Sequence, residues 1–103
     1  MRYLVLLLLA GPAWAQPAPG AEMMRGMEKM NQEMMAAPMN GNVDHDFVSI
    51  MVPHHRGAVE MAQTYLKSGR DPDIRKLANE IVESQTKEVR FMRGWQAKHM
   101  APR

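Results

Sequence analysis

Not one of the 103 residues is cysteine. Disulfide staples, thiolate metal centres, cysteine nucleophiles and lipid attachment through cysteine are therefore all excluded. Apolar runs are scarce too. Leu4 to Ala10 is the only extended one, too short to span a bilayer, and no second run follows it. No segment alternates apolar and polar residues in the manner of a strand, and no repeat is visible beyond the spacing of the methionines. Catalytic signatures are missing as well. No glutamate has a histidine three residues later, as a di-iron carboxylate bundle requires, and the H-E-x-x-H pattern of zinc proteases is absent. There is no Gly-rich phosphate loop and no serine in a nucleophile elbow. The expectation is a binding protein, not an enzyme. The formal charge of +2 gives no basic surface of the kind that tracks nucleic acid.

The N-terminus reads as an export signal. Arg2 supplies its positive end, Leu4 to Ala10 its apolar centre, and Ala13-Trp14-Ala15 an A-x-A cleavage site. Cleavage after Ala15 removes 15 of the 103 residues and leaves 88, with a formal charge of +1 once Arg2 is gone. The expected location is periplasmic or secreted, without stable membrane insertion. A domain of this size holds a modest core. Without disulfides, its stability must come from helix packing, a metal or oligomerisation.

Four stretches organise the chain: the signal peptide over 1–15, a Pro-rich flexible linker over 16–20, a methionine-rich helix and turn over 21–41, and a two-helix core over 42–103. In the first helix Met23, Met27, Met30 and Met34 recur at intervals of four, three and four, one helical face. Gly26 weakens this helix and no strong N-cap precedes it, so it depends on docking. The second helix runs from about Asp44 to Ser68, capped by Asn42 or Asp44 and closed by Gly69. Its stripe is Phe47, Met51, His54, His55, Ala58, Ala62, Tyr65 and Leu66. Pro53 either kinks it just before the two histidines or marks the first turn of a helix that starts late. Asp71-Pro72 opens the third helix, which reaches about His99 and buries Ile74, Leu77, Ala78, Ile81, Val82, Gln85, Val89, Met92 and Trp95. The fold class is all-α, an antiparallel helical bundle of three helices after signal-peptide removal.

What the chain has in excess is methionine, 12 residues in all. Seven fall between Met23 and Met39, the others of that run being Met24, Met27, Met30, Met34 and Met35. Thioethers and imidazoles are ligands that suit Cu(I), and thioethers form no disulfides in an oxidising compartment. Met51 lies one turn before His54 and His55. The two histidines differ by about 100° around the axis, so within a single helix they would rarely share one ion, one facing the bundle and the other its edge. Met61 lies about 10 Å beyond His54 along the axis, too far for a shared ion without help. His45, near the helix start, belongs to that end. Met92 and His99 fall on the third helix's stripe, His99 close to an end that frays. The metal candidates are thus His54, His55, Met51, Met61, Met92 and His45, followed by Met23, Met27, Met30, Met34 and His99. A different reading fits the same residues: methionine stripes fill irregular cores or form adaptable docking faces, and lone histidines satisfy core hydrogen bonds. Gln85, polar on an apolar face, needs a partner.

Asp46-Phe47, Met51-x-x-His54-His55-x-x-Ala58-x-x-Met61-Ala62, Gly69 and Gln85-x-x-Glu88-Val89-x-x-Met92-x-x-Trp95 together resemble the bacterial family labelled domain of unknown function 305, which includes CopM-like exported copper-binding proteins. The resemblance covers about half the chain, Asp46 to Trp95. It implies a ferritin-like helical bundle that binds copper, and Ag(I) by the same softness, for metal tolerance outside the cytoplasm. By position it carries a metal role to Met51, His54, His55, Met61 and Met92. A full bundle of that kind needs four helices, so dimerisation through the methionine face would complete it unless three suffice. The resulting expectation is a protein that buffers or delivers Cu(I), with Cu(II) able to bind the histidines alone. Its partners are the metal ion, a copper-delivery protein and a second copy of the chain. The rival expectation is a non-metal helical interaction module with a methionine-rich docking face.

Overall fold

Local capping chemistry sets the helix boundaries at both chain reversals. The computed structural model describes residues 18–99; the expected signal peptide lies outside the described residues. Helix α1 spans Pro19–Met35, α2 Val43–Ser68 and α3 Pro72–His99. Pro19 takes the first position of α1, where a missing N–H costs nothing and the fixed φ suits the helix. The Ala18 carbonyl accepts from the N–H groups of Ala21 and Glu22 at 2.8 and 3.1 Å, and no side chain caps this end. The helix thus claims Pro19 and Gly20, which the sequence assigned to the linker, and it stops at Met35, ahead of Pro38.

The turn into α2 is densely bonded. Asn42 is the N-cap, its side-chain oxygen accepting from the His45 N–H at 3.0 Å. The Asp46 carboxylate accepts from the backbone N–H groups of Asn40 and Gly41 at 2.9 and 3.1 Å, and from His45 Nδ1 at 2.8 Å. Gly41 has φ +87°, a left-handed conformation open to glycine without a Cβ penalty. Pro53 lies inside an unbroken α2, so the late-start alternative falls. Proline deprives the Ser49 carbonyl of its usual donor. The buried Ser49 hydroxyl donates to the Pro38 carbonyl at 2.7 Å and fastens the connector to α2.

At the other reversal, Asp71 Oδ1 accepts from the N–H groups of Asp73 and Ile74, each at 3.0 Å, with Pro72 in the first helical position. The Arg75 guanidinium reaches back to the carbonyls of Leu66 and Gly69 at 3.0 and 2.7 Å. It thereby satisfies acceptors at the end of α2 that have no partner within the helix.

The three helices form an all-α bundle with α2 in the middle. Both α1 and α3 pack on α2, and among the described residues they make no close approach to each other. Both neighbours run antiparallel to α2. Lys67 near its end pairs with Glu22 near the start of α1 at 2.9 Å, whereas Ser49 near its start holds Pro38. The buried residues are small or slender: Val52, Ala62, Ala78 and Met92, with Pro53 and Gly57. Gly57 is the point of closest approach. A Cβ there would lie 2.6 Å from both Cγ and Sδ of Met30, so the methionine of α1 lies directly over the glycine backbone of α2.

Two expected core stripes are only partly covered. On α3, Ile81, Val82, Gln85, Val89 and Trp95 are half-buried, but Ile74 and Leu77 are 46% and 50% exposed. On α2, Phe47 is 61% exposed. Because α1 does not reach α3, the apolar stripe of α3 has one neighbour instead of two, and its first turns extend past the cover.

Two glycines on this seam should respond in opposite directions. Gly57→Ala drives a methyl group into Met30 and should destabilise the fold by about 1–3 kcal/mol, an effect Met30→Ala should relieve. Gly26→Ala meets nothing within 4 Å and should stabilise by about 0.5–1 kcal/mol through helix propensity. Urea unfolding followed by circular dichroism measures both.

The hydrogen bond from His45, then the N–H groups of Asn40 and Gly41, hold the Asp46 carboxyl below the ordinary aspartate range, against a smaller opposing effect of desolvation. A carboxyl whose folded-state pKa is depressed stabilises the fold above its unfolded value, near about 3.9, and loses that contribution as pH falls through the lower folded value. Melting temperature should therefore fall below about pH 4 more steeply in the native protein than in Asp46→Asn.

Candidate functional site

Helix α2 carries His54 and His55 immediately after Pro53, at the level where α1 and α3 flank it on two sides. His55 faces α3, and its Nε2 donates to Glu88 Oε2 at 2.5 Å. Its Nδ1 is buried without a partner, as is Nδ1 of His54. The two rings lie 5.7 Å apart, centroid to centroid, tilted by 59°. On α3, Gln85 Oε1 is likewise buried and unpartnered. Gln85 precedes Glu88 by three residues, so its amide lies on the same helical face as the carboxylate that holds His55. These are the unpartnered buried side-chain nitrogen and oxygen atoms among the described residues. All three belong to the double-histidine motif or to the α3 face opposite it. Leaving one such group without a hydrogen bond costs about 1–3 kcal/mol.

Thioethers surround this level. Met51 and Met61 are half-buried on α2, one turn before and about two turns after the histidines. Met92 is buried on α3, one turn beyond Glu88. Met23, Met27, Met30 and Met34 are the half-buried methionines of α1, the face expected from their spacing. The Met30 sulfur lies over Gly57, three residues after His54 and four before Met61. It therefore falls within the axial gap of about 10 Å that separates those two side chains. Spacing within α2 alone leaves that gap open, because the residue that enters it comes from another helix. Among the described residues no three His, Cys, Asp or Glu side chains cluster as a metal centre, so further protein ligands at this level would come from sulfur or amide oxygen.

His45 and His99 lie elsewhere. His45 is buried at the start of α2, bonded to Asp46. It lines a recess of about 340 Å³ with Asn40, Asn42, Asp44, Trp95 and His99. His99 is ordered within α3: its Nδ1 donates to the Trp95 carbonyl at 2.8 Å, and its ring stacks on Trp95 at 4.3 Å. The sequence offered these two histidines separately, 54 positions apart. The antiparallel α2–α3 pairing brings them together.

A stretch of 49 residues is 35% identical to "Uncharacterized protein L153" of Acanthamoeba polyphaga mimivirus, covering 48% of this chain and 32% of that protein. The chain thus matches about a third of that relative's length. A family model described as "Domain of unknown function (DUF305)" matches residues 10–96, which takes in all of α1 and α2 and nearly all of α3. The chain belongs to this family.

Proposed function

We propose that this protein binds Cu(I) between its helices and buffers or delivers it outside the cytoplasm, without catalysis. The observation that carries the reading is the grouping of three unpartnered buried polar atoms, His54 Nδ1, His55 Nδ1 and Gln85 Oε1, among methionines from all three helices. A histidine that ligates a metal commonly gives its other ring N–H to a carboxylate. His55 has that arrangement: its Nε2–H donates to Glu88, which leaves the Nδ1 lone pair for an ion. Two imidazoles on one ion, with metal–nitrogen distances of about 2.0 Å, have centroids about 5–6 Å apart, and the observed separation of 5.7 Å falls within that range. Met51, one turn before the histidines, and Met30, over Gly57, supply soft donors, with Met61 about two turns further on, and softness favours Cu(I) or Ag(I) over Zn(II). Export rests on Arg2, the run from Leu4 to Ala10 and the Ala13-Trp14-Ala15 site. Metal tolerance follows from a cargo held by exchangeable ligands.

A second reading has its own support. Met24, Met35 and Met39 are exposed and point away from the α1–α2 seam, as an adaptable docking face for a partner helix would. Under that reading the histidines serve packing alone.

An anaerobic Cu(I) titration of the purified protein against a chromophoric chelator separates the two. Tight binding should collapse in His54→Ala/His55→Ala. Met30→Leu keeps side-chain volume and should change stability by less than about 1.5 kcal/mol, yet it should weaken Cu(I) binding because the sulfur is gone. Binding that survives the double histidine variant would move the site to the methionines of α1. No competition by any form of the protein would leave the docking module.

A further inference from the structure

We propose a second cation site, at the far end of the α2–α3 pair, in which His45 and His99 hold a divalent ion of borderline softness such as Cu(II). It stands apart from the Cu(I) reading and does not depend on it.

The neighbours of the two rings fix which nitrogen carries the hydrogen. His45 Nδ1 donates to the Asp46 carboxylate, and His99 Nδ1 donates to the Trp95 carbonyl. Both acceptors lack a proton, so each Nδ1 carries the hydrogen, and Nε2 is the ring atom left to face a metal. This is the outer-shell arrangement that orients metal-ligating histidines, one bonded to a carboxylate and the other to a backbone carbonyl. Among the described residues neither Nε2 finds a hydrogen-bond partner, and neither belongs to the sealed, unpartnered atoms of the interior. Both rings line the recess shared with Asp44 and Trp95.

The rings are also held in place. Asn42 accepts the His45 N–H, the Asp46 carboxylate is itself fixed by Asn40 and Gly41, and the indole of Trp95 backs the His99 ring. The electrostatics suit a cation. Asp44 lies on the rim, and the C-terminal end of α3 carries the negative end of its helix dipole. Opposing a cation are Lys98, in the last turn of the same helix, and the positive dipole end of α2, in whose first turn His45 and Asp44 lie.

Donor type separates this site from the one at His54 and His55. Among the described residues no methionine lines the recess, so the ligands they offer are imidazole nitrogen and oxygen, which favour Cu(II), Ni(II) or Zn(II) over Cu(I). No three His, Cys, Asp or Glu side chains converge among the described residues, so the protein supplies two imidazoles and solvent completes the shell. His45 and His54, nine residues apart on α2, are separated by about 13 Å along the axis. The two sites are therefore distinct.

The test uses Cu(II) alone, added to purified protein carrying His54→Gln and His55→Gln, so that the inter-helix histidines contribute nothing. Calorimetry should show one bound Cu(II), and electron spin-echo spectroscopy should show two imidazole nitrogens. Adding His99→Gln should weaken binding by at least about tenfold and leave one imidazole, whereas Lys98→Gln should retain both. Absence of Cu(II) binding in the double variant, or unchanged affinity on His99→Gln, overturns the assignment. If the double variant loses its helical circular dichroism, His99→Gln is compared with the otherwise unaltered protein. There the loss of one Cu(II)-bound imidazole supports the site, and an unchanged imidazole count overturns it. A negative Cu(I) titration leaves this result untouched, since the His54/His55 variants in that experiment read the middle of α2.

Discussion

Every tertiary contact between helices passes through α2. It is flanked by α1 on one side and α3 on the other, and those two do not meet among the described residues. A single helix must therefore present two packing faces. It does so with small residues: Gly57 and Pro53 toward α1, Ala62 and Val52 in the buried set. Small residues let backbones approach closely, and Met30 over Gly57 is the tightest case. The polar chemistry follows from the same constraint. His55, on the central helix, bonds Glu88 of α3, and two residues further on Gly57 lies beneath Met30 of α1.

The core that results is thin. No large side chain is completely enclosed among the described residues, and the buried apolar set is Val52, Ala62, Ala78 and Met92. A domain this small has little stability to spare from packing alone. Surface ion pairs such as Lys29–Glu60 at 3.5 Å add little. The densely bonded turns offset part of the shortfall. Asn42, Asp46 and Ser49 hold the first reversal, and Asp71 and Arg75 hold the second. A ligand bound only by the folded chain would add stability by mass action.

Most of the fold was legible because its signals are local. Asp71-Pro72 is a cap followed by a first-turn proline, Asn42 is a good acceptor one residue before the helix, and the methionine intervals of α1 predict the face that docks. Pro53 was ambiguous, since proline opens helices as readily as it interrupts them, and only the cap at Asn42 decides for an unbroken α2. The linker boundary was misplaced for a related reason: Pro19 looked like linker composition but is a helix start. Periodicity marks an apolar face without saying what covers it, which is why Ile74, Leu77 and Phe47 were expected inside and lie largely outside. The candidate site was legible on α2 and less so across helices. Nothing in the spacing places the Met30 sulfur between His54 and Met61, or His99 beside His45, because both depend on which helices pair and in which direction.

The seam between α1 and α2 has one more property. The half-buried apolar positions of α1 include Met23, Met27, Met30 and Met34, so thioethers line its contact face. Oxidants convert a thioether to a polar sulfoxide, and a sulfoxide at Met30 would add an oxygen where Gly57 leaves room only for carbon and sulfur. Attachment of the first helix is therefore sensitive to chemical damage that aliphatic leucines would ignore. Reductive repair of the sulfoxide would restore it without new synthesis.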